Sequence, residues 1–164
     1  MKIVEASKED IFIIQSLSDR IWPLTFSDIL TKDQISYMMD IMYSTASLEE
    51  QMIKSGHHYL LVKDGDEYLG YLSYELDYKG SEATKIHKIY VLPSTQGKGI
   101  GRFFIDSVCN IAKANNNNQL LLNVNRFNKA INFYQRIGFE VIGREDIDIG
   151  NGFLMEDYTM SKKL

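Results

Sequence analysis

Between residues 86 and 114 the chain passes from an apolar segment through a glycine-rich turn directly into an amphipathic helix, and this order constrains the fold more than any other feature. Ile86 to Leu92 is rich in Ile, Tyr and Val and reads as a strand that Pro93 ends. Arg102 to Ala114 carries Phe104, Val108, Ile111 and Ala112 at helical spacing. Gln96-Gly97-Lys98-Gly99-Ile100-Gly101 joins the two. A helix that starts at such a turn leaves several backbone N–H groups without partners, aimed at one point. Glycines let a ligand approach the backbone because no Cβ stands in the way. The helix dipole adds partial positive charge at the same place. Together these make an anion site suited to a pyrophosphate. No Gly-Lys-Ser/Thr closes the turn, so it is not a Walker A loop. Its glycine spacing also differs from the dinucleotide fingerprint.

A second segment, Asn128-Lys-Ala-Ile-Asn-Phe-Tyr-Gln-Arg-Ile-Gly-Phe139, carries a separate pattern. Asn128 is a good helix N-cap. Ala130, Phe133, Tyr134 and Ile137 form one apolar stripe. Gly138 suits the left-handed residue that ends a helix. The glycine turn resembles the acyl-CoA signature of the GNAT superfamily of N-acetyltransferases, Gln/Arg-x-x-Gly-x-Gly/Ala, with Gln96, Gly99 and Gly101 at its fixed positions. The second segment resembles another signature of that family, Asn-x-x-Ala-x-x-Phe-Tyr-x-x-x-Gly-Phe, with Ala130, Phe133, Tyr134, Gly138 and Phe139 in register. One departure stands out. The family's asparagine sits three residues before the alanine, where this chain has Phe127; Asn125 and Asn128 flank that place. Either asparagine is a candidate to contact CoA.

The rest of the chain gives an α+β order. Ile3–Ala6 reads as a strand and Lys8 to about Trp22 as a helix opened by a capping-box variant, Ser7-x-x-Asp10. Thr31-x-x-Gln34 opens a second helix through Met42, and Ser47-x-x-Glu50 a third through Lys54. Strands are expected at Tyr59–Lys63 and Glu67–Tyr78, turned by Asp64-Gly65. Leu120–Val124 is a strand after the Arg102 helix. Phe139–Ile149 and Phe153–Met160 form a hairpin turned by Gly150-Asn151-Gly152. The resemblance implies the GNAT fold: a central, mixed, mostly antiparallel sheet of about seven strands flanked by helices, in one domain over residues 1–164.

Composition is consistent with this. The 164 residues suit a single domain with a real core, and ten tyrosines and eight phenylalanines supply its bulk. Asn115 to Asn118 is the only low-complexity patch and reads as a connector. Charged residues interrupt the start of the chain, so no signal peptide is read there, and no run approaches a membrane span. The lone Cys109 cannot form an internal disulfide and is expected to pack inertly. A cytoplasmic location is expected. The three histidines and scattered acids show no metal spacing. A net charge of −4 argues against a nucleic-acid surface. The expectation is thus no metal, no nucleic acid and no membrane; GNAT domains often form dimers, so a homodimer stays open.

The resemblance implies acetyl-CoA as co-substrate and transfer of its acetyl group to an amine. The acceptor would be a small amine such as a polyamine or amino compound, or a protein or peptide amine. The pantetheine arm would lie where the Ile86 and Leu120 strands splay, pairing with the backbone of Tyr90 and Val91. The N–H groups of Gly97, Lys98, Gly99, Ile100, Gly101 and Arg102 would hold the pyrophosphate. Pro93 cannot donate a ladder hydrogen bond, so pairing is expected to loosen near it. Tyr134 resembles the family's general acid, supplying the proton to the departing sulfur. The strand before the loop places His87 where the family often has glutamate. His87 and Glu75 are alternative bases, and His87 is equally readable as a surface strand residue. The acceptor is expected among Trp22, Phe26 and Tyr37, with Thr25, Met38, Tyr43 and His57 in the same region and Asp28, Asp33 or Asp40 near an ammonium. Met38, Met39 and Met42 fall at helical spacing with Ile35 and read equally as core. Two non-catalytic classes compete: an acyl-CoA sensor, against which Tyr134 speaks, and a protein-interaction module, against which Gly99 and Gly101 speak.

Overall fold

The computed structural model describes all residues from Met1 to Leu164. Seven strands form one sheet in the order β1-β2-β3-β4-β5-β7-β6. They are β1 (Lys2–Ala6), β2 (His58–Asp64), β3 (Glu67–Glu75), β4 (Ala83–Val91), β5 (Gln119–Asn125), β6 (Glu140–Gly150) and β7 (Phe153–Lys163). Every neighbouring pair is antiparallel except β4 and β5. That parallel pair needs a crossover, which α4 (Ile100–Ala114) supplies. Helices α1 (Ile11–Phe26), α2 (Lys32–Tyr43) and α3 (Thr45–Ile53) pack on one another, and α1 also packs on β3 and β4. A short α5 (Ala130–Arg136) joins β5 to β6. β2 and β3 are buried over successive residues, so both faces of the sheet are covered at its centre.

The α+β class and strand order agree with the sequence reading, while several boundaries differ for identifiable reasons. Asp10 accepts from the Ser7 N–H at 2.9 Å, but the first turn is 3-10 and the α-helix starts at Ile11. The helix also runs past Trp22 to Phe26 with Pro23 inside it. Pro23 and Asp19, whose carbonyl loses its partner, are both exposed, so water can serve that carbonyl. Trp22 and Phe26 on either side are fixed in the core. The third helix is capped by Ser44, whose hydroxyl accepts from the Ser47 N–H at 3.1 Å; Ser47 is not the cap. β3 stops at Glu75 because Asp77 and Lys79 adopt positive φ of 52° each and turn the chain. β4 begins at Ala83, three residues earlier than expected. Asn128 sits one residue before the α5 N-cap, Lys129, where its side chain accepts from the Ala130 N–H at 2.9 Å.

The β6–β7 turn is Asn151-Gly152, with φ of 54° and 77°, the pair of left-handed residues that a tight hairpin of this kind requires. The β2–β3 turn is Gly65-Asp66, one residue beyond the expected Asp64-Gly65. The asparagine run does connect α4 to β5, and Asn117 is buried there, accepting from the Thr84 hydroxyl at 2.7 Å. No helix is long and apolar enough to cross a membrane.

Candidate active site

The parallel β4–β5 pairing covers only Ala83↔Gln119 to Ile86↔Leu122. Both strands continue, β4 to Val91 and β5 to Asn125, without pairing, so a gap opens between them. Pro93 is not the cause, because pairing ends well before it. The register of β3 against β4 shifts at the same point: Ser73 pairs with Lys88 and Tyr74 with Ile86, leaving His87 as the extra residue. A bulge bends its strand and re-aims the side chain there. Beyond it, Tyr90 and Val91 pair with Tyr71 and Gly70 on the β3 side alone. Gly70 is required at that place, since a Cβ would stand 2.6 Å from the Tyr90 carbonyl oxygen.

The helix after β4 starts at the same end of the sheet. Five backbone N–H groups, those of Gly97, Gly99, Ile100, Gly101 and Arg102, donate to no carbonyl of the chain. The Lys98 N–H is taken by the Thr95 carbonyl at 3.3 Å, so the expected run of donors is interrupted at Lys98. Gly97 and Gly99 have φ of 83° and 79°, which folds the turn back on itself. Gly101 has an ordinary φ and is needed for another reason. A Cβ there would lie 3.1 Å from the Phe133 ring, so its smallness lets α4 and α5 approach. The Arg102 side chain pairs with Asp106 at 3.6 Å on an exposed face.

A cavity of about 900 Å³ joins these parts. Its walls include Gln96, Gly97 and Gly99–Arg102 at one end and Ile86–Val91 facing Leu122–Asn125 in the middle. The C-terminal part of α1 and one side of α2 form the other end. Asn125 and Asn128 both line it, each with its oxygen already engaged: Asn125 accepts from the Phe127 N–H at 3.0 Å and Asn128 from Ala130. Tyr134 lies on the wall with its ring held by Phe133 and Phe139 at centroid distances of 5.4 and 5.7 Å. Burial alone moves its phenol, upward, so it stays protonated at neutral pH.

His87 also lines the cavity, and its Nε2 lies 2.8 Å from Glu75 Oε2. His57 stacks on His87 at 3.9 Å between ring centroids, with its own Nε2 3.8 Å from the same carboxylate oxygen. Burial, then Lys88 and Lys85, hold His87 down to about 4, while the nearby Glu75 carboxylate acts in the opposite sense. Burial, then His87 and Lys88, hold His57 down to about 4 as well. Both imidazoles are therefore neutral at pH 7. The three side chains offer ligand atoms within 4.8 Å of one another, a cluster that sequence spacing did not reveal because three separate segments build it. The rings lie within 13° of parallel, so an ion in the plane of one falls out of the plane of the other. As arranged, the group is a hydrogen-bonded carboxylate–imidazole cluster and not a formed metal cage.

The aromatic residues expected near the acceptor divide. Trp22 and Phe26 contribute to the wall but are only 1% and 5% exposed. Their rings pack on each other at 4.6 Å and on Tyr90 at 5.4 and 6.2 Å. The Trp22 Nε1–H is spent on the Tyr43 hydroxyl at 3.1 Å. Tyr37 lies outside the cavity: its hydroxyl donates to the Ile149 carbonyl at 2.6 Å and its ring packs on Phe153. Of the acids named near an ammonium, only Asp28 reaches the wall. Sequence reasoning missed Lys88 and Asp157, both buried residues of the cavity wall. A lysine inside an apolar strand was the available signal for Lys88; nothing local marks Asp157.

Comparison with known proteins agrees with this geometry. Residues 27–162 match the family model described as an acetyltransferase (GNAT) domain. A peptidyl-lysine N-acetyltransferase, YjaB of Salmonella typhimurium, is 28% identical over 91 residues, which are 55% of this chain and 54% of that protein. The chain thus matches about half the length of that curated relative. Among solved structures, the PaiA N-acetyltransferase of Thermoplasma acidophilum in complex with coenzyme A superposes with a TM-score of 0.83 at 22% identity, covering 99% of this chain and 98% of that one. A spermidine N-acetyltransferase chimera from Vibrio cholerae and hSSAT gives 0.72 at 19% identity, covering 99% and 96%. The family match spans most of the chain, and the splayed parallel pair, the glycine turn and the tyrosine helix all fall within it: the protein belongs to the GNAT acetyltransferase family.

Proposed function

We propose that this chain is an acetyl-CoA-dependent N-acetyltransferase that transfers acetyl to a primary amine, either a small amine or a peptide amine. One observation carries the reading: the five unpartnered N–H groups at the head of α4 open onto the cavity that continues through the β4–β5 gap to Tyr134. The named activities of the matched relatives support it, since one acts on peptidyl-lysine and another on spermidine.

Gly97, Gly99, Ile100, Gly101 and Arg102 hold the pyrophosphate through their N–H groups. Charge-assisted bonds of this kind contribute roughly 1.5–3 kcal/mol each. Tyr90 and Val91 offer the pantetheine arm the strand edge that β5 leaves unpaired. The acceptor amine arrives mostly as ammonium, because its pKa of about 10 leaves roughly one molecule in a thousand neutral at pH 7. The Glu75–His87 pair relays that proton to solvent, directly or through water, because an imidazole held down to about 4 does not keep it at pH 7. The neutral nitrogen then forms a bond to the thioester carbonyl carbon and the carbon–sulfur bond breaks. The Tyr134 hydroxyl donates a hydrogen bond to the departing sulfur, which takes up a proton equivalent to the one the nitrogen releases.

The test is thiol release from acetyl-CoA by the purified protein with and without added amines, alongside calorimetric titration of CoA. Amine-dependent thiol release with tight CoA binding is expected. A folded protein that binds CoA but releases no thiol with any amine would remove catalysis from the reading. One that does not bind CoA would remove the site.

A further inference from the structure

One acid of the cavity is buried and has no partner in the chain. Asp157 on β7 is 3% exposed and belongs to the cavity wall. It stands directly opposite Asn125, at the end of β5 that β4 leaves unpaired. No group of the chain donates a hydrogen bond to its carboxylate, and two nearby cations are committed elsewhere. Lys85 donates to Asn123 Oδ1. Arg126 donates to Asp146 at 2.7 Å and to the Asp157 backbone carbonyl at 3.3 Å, and its ion pairs are with Asp146 and Glu156. The Asn123 amide lies near enough to favour the charged carboxylate, but its own hydrogen bond goes to Glu145 at 3.5 Å. Burial outweighs these neighbours and holds the Asp157 carboxyl above its ordinary range. Only His57 Nδ1 and Ser73 Oγ are sealed from water without a partner, so the unbonded Asp157 carboxylate stays open to the cavity.

The other acids near the cavity are placed differently. Asp28 is exposed beyond α1, where water screens it. Glu75 is engaged with His87 Nε2 at 2.8 Å. Asp157 instead lies toward Tyr134. The Tyr90 phenol is raised by burial first and then by Tyr71, Tyr134 and Asp157, so Tyr134 and Asp157 both lie beside that one ring. All three residues line the cavity, and neither tyrosine hydroxyl bonds to a group of the chain. An unpaired carboxylate held out of bulk water destabilises the fold, and a cation seated beside it offsets that penalty.

We infer that Asp157 receives the acceptor: its carboxylate pairs with the ammonium of the incoming primary amine and seats that nitrogen beside Tyr90 and Tyr134. The inference rests on the proposed acetyl transfer. The carboxylate acts on the ammonium alone. Once the proton has left through the Glu75–His87 pair, the neutral nitrogen no longer needs it. Loss of Asp157 therefore falls on KM for the amine and leaves CoA binding in place.

The experiment compares the unsubstituted chain with Asp157→Asn and Glu145→Gln. Glu145 stands opposite Asp157 in the β6–β7 ladder but is exposed and outside the cavity wall, so it reports the general field of negative charge. Steady-state kinetics at saturating acetyl-CoA use butylamine, 2-phenylethylamine, spermidine and a lysine-containing peptide. Calorimetry follows butylamine binding to the complex with CoA, in which no acetyl group can be transferred. Asp157→Asn should raise KM for the best amine, and weaken butylamine binding, by about tenfold or more, the scale of one lost charge-assisted hydrogen bond. Its CoA affinity should stay within about twofold, and its urea midpoint should be unchanged or higher, because the substitution orphans no partner. Glu145→Gln should change none of these by more than about twofold. An unchanged amine KM in Asp157→Asn would overturn the inference, as would an equal rise in both variants or a loss confined to CoA affinity or to stability. No turnover of any amine, with butylamine binding still dependent on Asp157, would sink the transfer reading and leave the cation site standing. Loss of both would remove the two together.

Discussion

Replacing Tyr134 with phenylalanine isolates one hydroxyl. The ring is 6% exposed and packed by Phe133 and Phe139, and phenylalanine keeps those contacts. No group of the chain bonds the hydroxyl, and burial alone shifts it. Its removal therefore orphans no partner, and stability should change by no more than about 0.5 kcal/mol. The effect on catalysis follows from relative acidity. The phenol lies above its ordinary pKa of about 10, while a thiol titrates near 8.5, so complete transfer of the proton to sulfur is uphill. The hydroxyl then acts chiefly as a hydrogen-bond donor to developing negative charge, worth about 1.5–3 kcal/mol. That corresponds to a fall in turnover of roughly 10- to 150-fold, short of the 10⁴ at the top of the range for general acids. Steady-state kinetics would measure it, with urea unfolding to confirm stability. A second acetyl thioester whose leaving thiol is about two pKa units more acidic should lose less, because its sulfur needs less help. Unchanged turnover, or an equal loss with both donors, would refute this role for Tyr134.

Three other perturbations test the remaining parts. Gly99→Glu and Gly101→Glu should each abolish CoA binding in calorimetry while the domain stays folded; the first puts a carboxylate into the turn and strains it at a φ of 79°, and the second drives a side chain against Phe133 and displaces the head of α4. Near-normal affinity would remove the turn from the site. His57 and His87 are held down to about 4 in the folded protein, against about 6.5 in an unfolded chain, so their contribution is complete above pH 6.5 and lost as pH falls toward 4. The unfolding free energy from urea titration should decline across that window, by at most about 1.4 kcal/mol per pH unit per histidine before solvent screening, and His87→Gln should flatten the decline; an unchanged slope would refute it. Tyr71→Phe should cost about 1–3 kcal/mol in urea unfolding, because the Tyr71 hydroxyl links buried Ser18 at 2.9 Å to buried Tyr43 at 2.7 Å. A loss under about 0.5 kcal/mol would mean that water or repacking replaces the link.

What was legible in the sequence had a local cause. The glycine turn could be read because the backbone there needs positive φ at Gly97 and Gly99 and close approach at Gly101, and few other residues supply either. The Gly138 helix end and the Asn151-Gly152 turn were readable from the same positive φ, and the Thr31 cap from its side chain, which accepts from the Gln34 N–H. What was missed depends on partners distant in sequence. The His87 bulge exists only in the register of β3 against β4. The His57–Glu75–His87 cluster needs three segments to meet. Tyr37 looked like a pocket aromatic, yet its place is set by the Ile149 carbonyl, 112 residues away in the chain. The first helix was expected to end at about Trp22, but it continues through Pro23 to Phe26, because the burial of Trp22 and Phe26 outweighs one missing hydrogen bond on a wet face.

The position of the site follows from one topological fact. β4 and β5 are the only parallel neighbours, and a parallel pair needs a crossover helix that begins where the first strand ends. The N-terminus of α4 must therefore lie at the C-terminal end of β4. The gap opens at that same end because pairing stops at Ile86↔Leu122 and the bulge follows at once. A helix N-terminus able to hold an anion and a free strand edge able to pair with an extended arm are thus adjacent without any further device. The tyrosine helix comes next in the chain after β5, so it closes the opposite side of the same gap. The acceptor side has no comparable constraint. It is built from α1, α2 and β7, whose packing specifies apolar bulk but no particular amine. The cofactor end is therefore set by the strand order, whereas the acceptor end is set by side chains of α1, α2 and β7, which can change while the fold stays the same.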